Sequence, residues 1–343
     1  MKKIRKVLCL AVIMLLIFAA PVFAMPSLGD LQGVVENFSD RMAESAAFNS
    51  TMGLNWSDAY IGQFLGIPPR FGAGVTMGFT FLNVDGLGDL LNFFNIDSFG
   101  GNAGFPLLGY VAEGRIGGFI LPFDVGVKIG VLPDHNIPFS NISIDEYLLV
   151  GADFRYSLLP TAVPLMRLSL GVGVNHLRGG LTVGARGAGQ TLNFQGPSNA
   201  NPLVLADWTL DVASPTLGLN WSTTNVEFKA QASMSLLIFT PYLGFGVSRA
   251  WSSAGYNLST NVTVADDTGT SRDLDDVVTY LNALGLRNIN ANGFGQTRDV
   301  IDWNYRLFGG VSFNLPLIRF DLTGMYDIKS ESLGVTFGVR FQI

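Results

Sequence analysis

Charged residues of opposite sign recur two positions apart inside segments that are otherwise apolar or rich in glycine. Asp153 is followed by Arg155, and Glu227 is followed by Lys229. Alternate residues of a β-strand lie on the same face, so each pair would share a face. Charges of both signs are costly in a dry core unless they are paired. The pattern therefore indicates strands with one apolar face and one wet or ion-paired face.

Catalytic chemistry has little support in the sequence. Two histidines occur, His135 in LPDHNIP and His176 in GVNHLRG. A lipid-modifying barrel enzyme would need a serine within hydrogen-bond reach of His176. Ser169 lies seven residues away along the same predicted strand, which is too far. We predict no catalytic residue and no enzyme.

Metal and cofactor sites are also not expected. The acidic run from Asp266 to Asp276 does not have the spacing of a calcium loop, and a solvated outer loop is the preferred interpretation. The single cysteine, Cys9, lies in the leader described below, so the remaining chain can form neither a disulfide nor a thiolate metal site. We expect no cofactor and no metal.

The first 24 residues have the pattern of a secretory signal peptide. Residues 1–6 carry four positive charges, residues 7–20 are continuously apolar, and Val22 and Ala24 are small residues at the positions that precede cleavage. An uncleaved membrane anchor is the alternative, but the apolar run is short for that purpose. We predict export and cleavage after Ala24.

The composition after the signal peptide favours a membrane barrel. Removing its four positive charges from the whole-chain value of −6 leaves −10, which argues against nucleic acid as a partner. No stretch after residue 24 is long and apolar enough for a membrane helix. Yet 48% of the residues are hydrophobic, 41 are glycine and only 14% are charged, against about 25% in soluble domains.

Strict alternation of apolar with small or polar residues predicts the strands. The final segment, LGVTFGVRFQI, alternates without an error to the last residue. The predicted strands are about 9–13 residues long, which suits tilted strands that cross a bilayer. They are Phe71–Phe81, Phe123–Val131, Leu148–Leu158, Met166–Val174, Val226–Ile238, Trp303–Leu315, Ile318–Lys329 and Leu333–Ile343.

Short and long connections alternate, as they do in barrels with short periplasmic turns and long outer loops. Keeping that order requires Leu205–Thr223 to be split at residues 213–215 into two strands. With Thr51–Gly62 also taken as a strand, the count is about thirteen. Since bacterial barrels have an even number, we predict an all-β, antiparallel transmembrane β-barrel of 12–14 strands over residues 51–343.

Two segments have helical spacing of apolar residues. Ser27–Phe48 precedes the first strand, so residues 25–50 are predicted to form an N-terminal cap or plug. Arg272–Leu284 lies within the longest loop, where a lid and a simple loop-stabilising helix both remain open.

Tryptophans are predicted at the membrane interfaces. TMGLNWS at 51–57 and TLGLNWS at 216–222 match at six of seven positions, but their flanks differ, so we interpret them as convergent strand ends rather than a duplication. The aromatic girdle would contain five residues. They are Trp56, Trp208, Trp221, Trp251 and Trp303.

The C-terminal segment resembles the assembly signal of outer-membrane β-barrel proteins, with Phe337, Val339 and Phe341 matching and Ile343 in place of the usual terminal phenylalanine. The resemblance implies outer-membrane localisation, contact with outer-membrane lipid, and recognition by the barrel-assembly machinery and periplasmic chaperones. The helical segment before the barrel gives a weaker similarity to fatty-acid-transport type barrels. The sequence does not determine the oligomeric state.

The charged inner faces suggest a passive pore or uptake channel for small or hydrophobic solutes. Mixed signs predict either weak ion selectivity or ion-pair ladders that close the lumen. The alternative is a non-transporting surface, adhesin or structural barrel that acts through its outer loops. The candidate lumen residues are Glu113, Arg115, Asp124, Lys128, Asp153, Arg155, Arg167, Glu227, Lys229, Arg306, Arg319, Asp321 and Arg340.

Overall fold

The protein is a closed antiparallel β-barrel with an α-helix inside it, as seen in a computed structural model. The structure describes residues 28–61, 70–82, 105–118, 122–136, 142–159, 166–184, 190–197, 205–212, 216–259, 262–265, 271–272, 289–290 and 293–343. Several of the predicted features, including the signal peptide and the acidic run from Asp266 to Asp276, lie outside these residues.

The barrel wall, in the part of the chain that the structure describes, consists of ten strands. We number them in chain order: β1 Arg70–Leu82, β2 Phe105–Gly117, β3 Phe123–Leu132, β4 Ile142–Ser157, β5 Met166–Gly184, β6 Thr216–Met234, β7 Phe239–Ser259, β8 Gly293–Asn314, β9 Ile318–Asp327 and β10 Leu333–Gln342.

Each strand pairs antiparallel with its neighbours in sequence, and the ring closes between β1 and β10. In that closing pair Gly72 lies opposite Gln342 and Phe81 lies opposite Leu333. Strands β7 and β8 pair over their whole length, from Phe239 opposite Phe313 to Leu258 opposite Phe294. A closed ring leaves no unpaired edge, which is what a sheet needs in order to cross lipid.

The prediction of 12–14 strands is wrong, because three predicted segments are not separate wall strands. Residues 51–61 have no strand structure and lie in the lumen. Leu205–Val212 pairs with Gln190–Pro197 and Val262–Ala265 in a second, four-stranded sheet that also includes Ser271–Arg272. Residues 216–223 and 226–234 belong to the single strand β6. The all-β barrel itself is confirmed.

The two ends of the barrel differ. At one end, the short-turn end, strands are joined by residues 118–122, 158–165, 235–238 and 315–317. At the other, the long-loop end, lie the connections 83–104, 133–141, 185–215 and 260–292, together with the hairpin turn 328–332. Short additional strands, His135–Asn136 and Ile289–Asn290, flank β4 and β8.

Four wall strands extend further toward the long-loop end than the sequence predicts. Strands β5 to β8 have 19–22 residues, so stretches predicted as loop, such as 178–184 and 252–259, are wall. Here the inner face is apolar, as at Leu181 and Leu219, and the outer residues between them, such as Arg178 and Asn220, are polar. The alternation is therefore reversed relative to the lipid-facing part of the same strands, where the apolar residues lie outside.

The outer face of the barrel is apolar. Alternate residues of β1, β3 and β10 are exposed hydrophobic side chains, including Phe79, Val127 and Phe337. Residues between them point inward and are buried, and many of them are polar or charged. Such inversion of the usual soluble pattern fits a wall that faces lipid. Separately, no helix among the described residues is long and apolar enough to span a membrane.

The tryptophan prediction is only partly consistent with the structure. Trp251 and Trp303 are exposed on the outer face. Trp221 is buried on the inner face of β6, because it shares the strand parity of the lumen residues. Trp56 is buried inside the lumen. For Trp56 and Trp221, the prediction that they belong to the interface girdle is wrong. The side chain of Trp208 is outside the description, and its strand belongs to the second sheet.

Helix α1, Leu28–Ser50, begins close to the predicted position and contacts the inner faces of β6, β7 and β8. The second predicted helix, Arg272–Leu284, lies outside the described residues beyond Arg272, which belongs to a short strand. The C-terminal residues Phe337, Phe341 and Ile343 are exposed on the outer face, and Val339 is half-buried there. Their recognition by assembly factors stays a prediction.

A charge on the outer face should destabilise the barrel in lipid. Val127 is 57% exposed near the middle of β3. The Val127→Arg variant should lose roughly 2–4 kcal/mol of unfolding free energy in phospholipid vesicles, the cost of arginine near the bilayer midplane. Reversible denaturant unfolding measures this. Leu237→Arg, in an exposed turn at the short-turn end, is the control and should be unchanged.

Candidate functional site

The lumen is occupied by residues 39–61, which we call the plug: the second half of α1 and the irregular segment that follows it. At the end of the helix, Lys128 of β3 donates from Nζ to the carbonyl oxygens of Ser50 at 2.8 Å and Met52 at 2.5 Å. Asn225 of β6 donates to the carbonyl of Ala47 at 3.2 Å. The last carbonyls of a helix lack intrahelical partners and carry partial negative charge. The barrel wall therefore caps the helix.

Leu54 is the strained residue of the plug. Its φ of 57° lies in the left-handed region, which costs a residue with a side chain about 1–3 kcal/mol. The wall holds it there, because its N–H donates to Glu113 at 2.5 Å and its carbonyl accepts from Arg115 at 3.3 Å and Lys229 at 3.4 Å. Preceding Gly53 has a φ of 80°, and a Cβ there would lie 2.6 Å from Val111.

Trp56 is held between two arginines. The guanidinium carbons of Arg340 and Arg115 lie 4.6 and 5.6 Å from the ring centroid, within cation–π range. The carbonyl of Trp56 accepts from Gln231 at 2.7 Å. Its Nε1 is buried without a hydrogen-bond partner, and the residue lines a small cavity together with Thr76 and other polar residues.

Asp58 is the plug's main electrostatic anchor. Its carboxylate lies 2.6 Å from Arg319, 3.2 Å from Arg340 and 3.7 Å from Arg167. Three guanidinium groups around one carboxylate favour its charged form, so Asp58 is the shared anion of this cluster.

Ion pairs within the wall form a continuous chain on one side of the plug. Arg115 lies 2.5 Å from Asp124 and 2.7 Å from Asp153. Arg155 donates to both oxygens of Asp124 at 2.9 Å, and Lys229 lies 2.6 Å from Asp153. Every pair joins two wall strands, and the side chains are almost completely buried.

Two more wall ion pairs lie elsewhere around the lumen. Arg306 donates to the two oxygens of Glu227 at 2.5 and 3.1 Å and also to Asn55 of the plug at 3.0 Å. Asp321 lies 2.8 Å from Arg340. The barrel wall thus satisfies most of its own charges and offers remaining donors to the plug.

The thirteen candidate lumen residues all lie on the inner face. Eleven are buried, and Arg167 and Arg319 near the short-turn end are partly exposed. Eight are cationic and five are acidic, so this set has a surplus of three positive charges. All eight cations donate a hydrogen bond to the plug. Whether any of the thirteen contacts a solute stays a prediction.

Neutral polar residues of the same faces were missed as site residues. Asn225, Gln231 and Ser233 bind the plug backbone or Ser50, and Gln342 binds Asp58. Their inward position follows from strand parity, which is a signal that the sequence offered. The role of Asp58 could not be found in that way, because its segment is not a strand.

The lumen changes character toward the long-loop end. Met42, Ala43 and Ala46 of α1 pack there against an apolar inner wall. Its buried residues are Leu107, Val111, Tyr147, Leu149, Leu177, Leu181, Val183, Leu217, Leu219, Trp221, Ala254 and Tyr256. The lumen therefore has an apolar half at the long-loop end and an ion-paired half at the short-turn end.

The possible serine–histidine pair of an enzyme is not assembled by the described residues. His176 lies on the outer side of β5 and its Nδ1 is 2.8 Å from Thr224 Oγ1. Ser169, seven residues away and of opposite parity, is buried on the inner face. The side chain of His135 is outside the description. Within the described part of the chain, no cluster of three or more histidine, cysteine or acidic residues could hold a metal.

No family model and no curated protein matches the sequence. The outer membrane protease OmpT from Escherichia coli is similar in structure at 10% identity and a TM-score of 0.37, over 83% of this chain and 100% of that one. The translocator domain of the autotransporter NalP from Neisseria meningitidis is 9% identical with a TM-score of 0.29, over 92% of this chain and 98% of that one. The Ralstonia pickettii toluene transporter TbuX is 12% identical with a TM-score of 0.23, over 81% of this chain and 90% of that one. Scores this low carry no argument about function.

The class of the protein follows from its own geometry. A closed antiparallel wall, an apolar outside and a polar, plugged lumen define an outer-membrane β-barrel.

Removing the charge of Asp58 should loosen the plug. The Asp58→Asn variant leaves Arg319 and Arg340 without their shared anion, and removing one partner of a buried ion pair should cost roughly 3 kcal/mol. Unfolding in detergent micelles measures the loss. Glu44→Gln is the matched control, because Glu44 belongs to the same plug but forms only a partly exposed pair with Arg41. Equal stability of both variants would contradict the anchoring role.

Proposed function

We propose that the protein is a gated uptake channel for small hydrophobic solutes, closed in this structure by the plug. The observation that carries the proposal is the division of the ion pairs. Four of the five acidic lumen residues pair with cations of the wall itself, and the plug adds the buried charge of Asp58 and the exposed pair of Asp40 with Arg298.

This division suits a plug that can move. If the plug shifts, Asp124, Asp153, Glu227 and Asp321 keep their partners. The bonds that would break include many donations to plug carbonyls, which water can replace, and the ion pairs of Asp58. A permanently filled lumen has no need of buried ions, since apolar side chains are often equally or more stabilising there. Paired charges suit a lumen wall that is exposed to water when the plug moves away.

Backbone strain also favours a movable plug. Leu54 keeps its unfavourable φ only while Glu113, Arg115 and Lys229 hold its peptide groups. Strain of this kind is released when the residue leaves the wall, and it lowers the cost of opening by about 1–3 kcal/mol.

The solute class follows from the long-loop half of the lumen, which we expect to face outward. Its wall is apolar, with Leu177, Leu217 and Trp221 among the buried residues. A solute that enters from that side meets an apolar surface before it meets the ion pairs. This order supports a small hydrophobic solute over a charged one.

A surface barrel without transport is the second candidate. It is favoured by the long strands β5 to β8 and by the additional four-stranded sheet at the same end. In that case the plug would be a permanent core of the barrel.

A disulfide that locks the plug distinguishes the two candidates. Ser45 of α1 and Ser332 beside β10 are buried, and their hydroxyl oxygens lie 3.3 Å apart. Cysteines at both positions, in a chain whose Cys9 is replaced by serine, should therefore form a disulfide with little movement. In planar bilayers the reduced protein should show openings, and the oxidised protein should be silent.

The single Ser45→Cys variant is the control for effects of oxidation that do not involve the lock. A variant without residues 39–61, shown to be folded by heat-modifiable gel mobility, should conduct continuously. Continuous conductance of that variant, together with silence of the native chain and the reduced double-cysteine variant, would overturn gating and favour the surface barrel. Uptake of a radiolabelled monoaromatic hydrocarbon into proteoliposomes, fast when reduced and slow when oxidised, then tests the solute class.

A further inference from the structure

The plug passes through the lumen in a definite direction. Near the long-loop end, Arg298 of β8 donates to Asp40 at 2.8 Å. In the middle, Lys128 binds the end of α1. Near the short-turn end, Arg319, the second residue of β9, binds Asp58. The chain therefore enters the barrel at the long-loop end and leaves it beside the start of β1.

The start of α1 lies further out than Asp40. The helix begins at Leu28, twelve residues before Asp40, which corresponds to about 18 Å along the helix axis. Because the axis runs from mid-lumen toward the long-loop end, this length carries Leu28 away from the lumen and not back into it.

The two ends of the barrel can be assigned to the two sides of the membrane. Barrels of this class have short turns on the periplasmic side and long loops outside. Both the C-terminal residue of β10 and the first residue of β1 lie at the short-turn end, where Phe71 and Ile343 exchange backbone hydrogen bonds at 3.2 and 3.0 Å. The long-loop end is therefore the outer end.

We infer that the chain is threaded through its own barrel, so that the N-terminal end of α1 is presented on the outer surface of the cell. Residues 39–61 then connect this outer helix end to the periplasmic start of β1. The inference does not depend on whether the plug moves, and it holds for a channel and for a surface barrel alike.

Site-specific labelling tests the topology in intact cells. The chain after the predicted signal peptide contains no cysteine, so a single introduced cysteine can be followed once Cys9 is replaced by serine. Gly29→Cys, one residue into α1, should react with a membrane-impermeant maleimide in intact cells as completely as in permeabilised cells. Leu237→Cys, exposed in the turn between β6 and β7, should react only after permeabilisation.

Labelling of Gly29→Cys only after permeabilisation would overturn the inference. If Leu237→Cys is instead the residue labelled in intact cells, the barrel is inverted and the outer position of α1 is again wrong. Folding of each variant is verified by heat-modifiable gel mobility. A FLAG epitope inserted between Pro26 and Ser27 gives a second readout. Antibody binding to intact cells supports threading, and binding only to permeabilised cells contradicts it.

Discussion

The contact of Arg115 with two carboxylates and one plug carbonyl is the interaction on which the rest of the lumen depends. Arg115 joins Asp124 to Asp153 across strands β2 to β4, and it reaches Leu54 at 3.3 Å and the ring of Trp56. Buried charge is stable only when every partner is present. The same side chain thus fixes the spacing of the wall, the strained turn of the plug and the position of its aromatic anchor. Charge pairing in the wall and packing of the plug form one connected system.

Strand faces were predictable from the sequence because lipid and lumen impose opposite demands on alternate residues. The segments around Phe79, Val127 and Phe337 have their apolar residues outside, as predicted. What was not predicted is the reversal of this pattern in the extended ends of β5 and β6, where Leu181 and Leu219 face a filled lumen and polar residues such as Asn220 lie outside. Residues 25–50 were predicted as a cap or plug from their helical spacing, but residues 51–61 were predicted as a strand and instead lie in the lumen without strand structure.

The repeated heptapeptide shows how far local sequence leaves structure open. TLGLNWS lies in β6, with Trp221 on its inner face, whereas TMGLNWS forms the turn after α1 and places Trp56 between two arginines. In the plug the central glycine and leucine have φ of 80° and 57°, and in β6 the same pair is extended. Hydrogen bonds from wall side chains hold residues 51–57 in the plug, and backbone hydrogen bonds to β5 and β7 hold residues 216–222 in the strand. Tertiary contacts, not propensity, decide between the two structures.

Closure of the ring adds a geometric constraint on the plug. The plug is covalently attached to β1, and β1 is also the strand that pairs with the last strand, β10. The segment around Asp58 therefore lies next to this seam, where it contacts Arg340 and Gln342 of β10. The seam is built to admit it: a Cβ at Gly72 would lie 2.9 Å from the ring of Trp56. A glycine at this position lets wall and plug close on each other, and Gly109 of β2 does the same beside Met52, where a Cβ would clash with the sulfur.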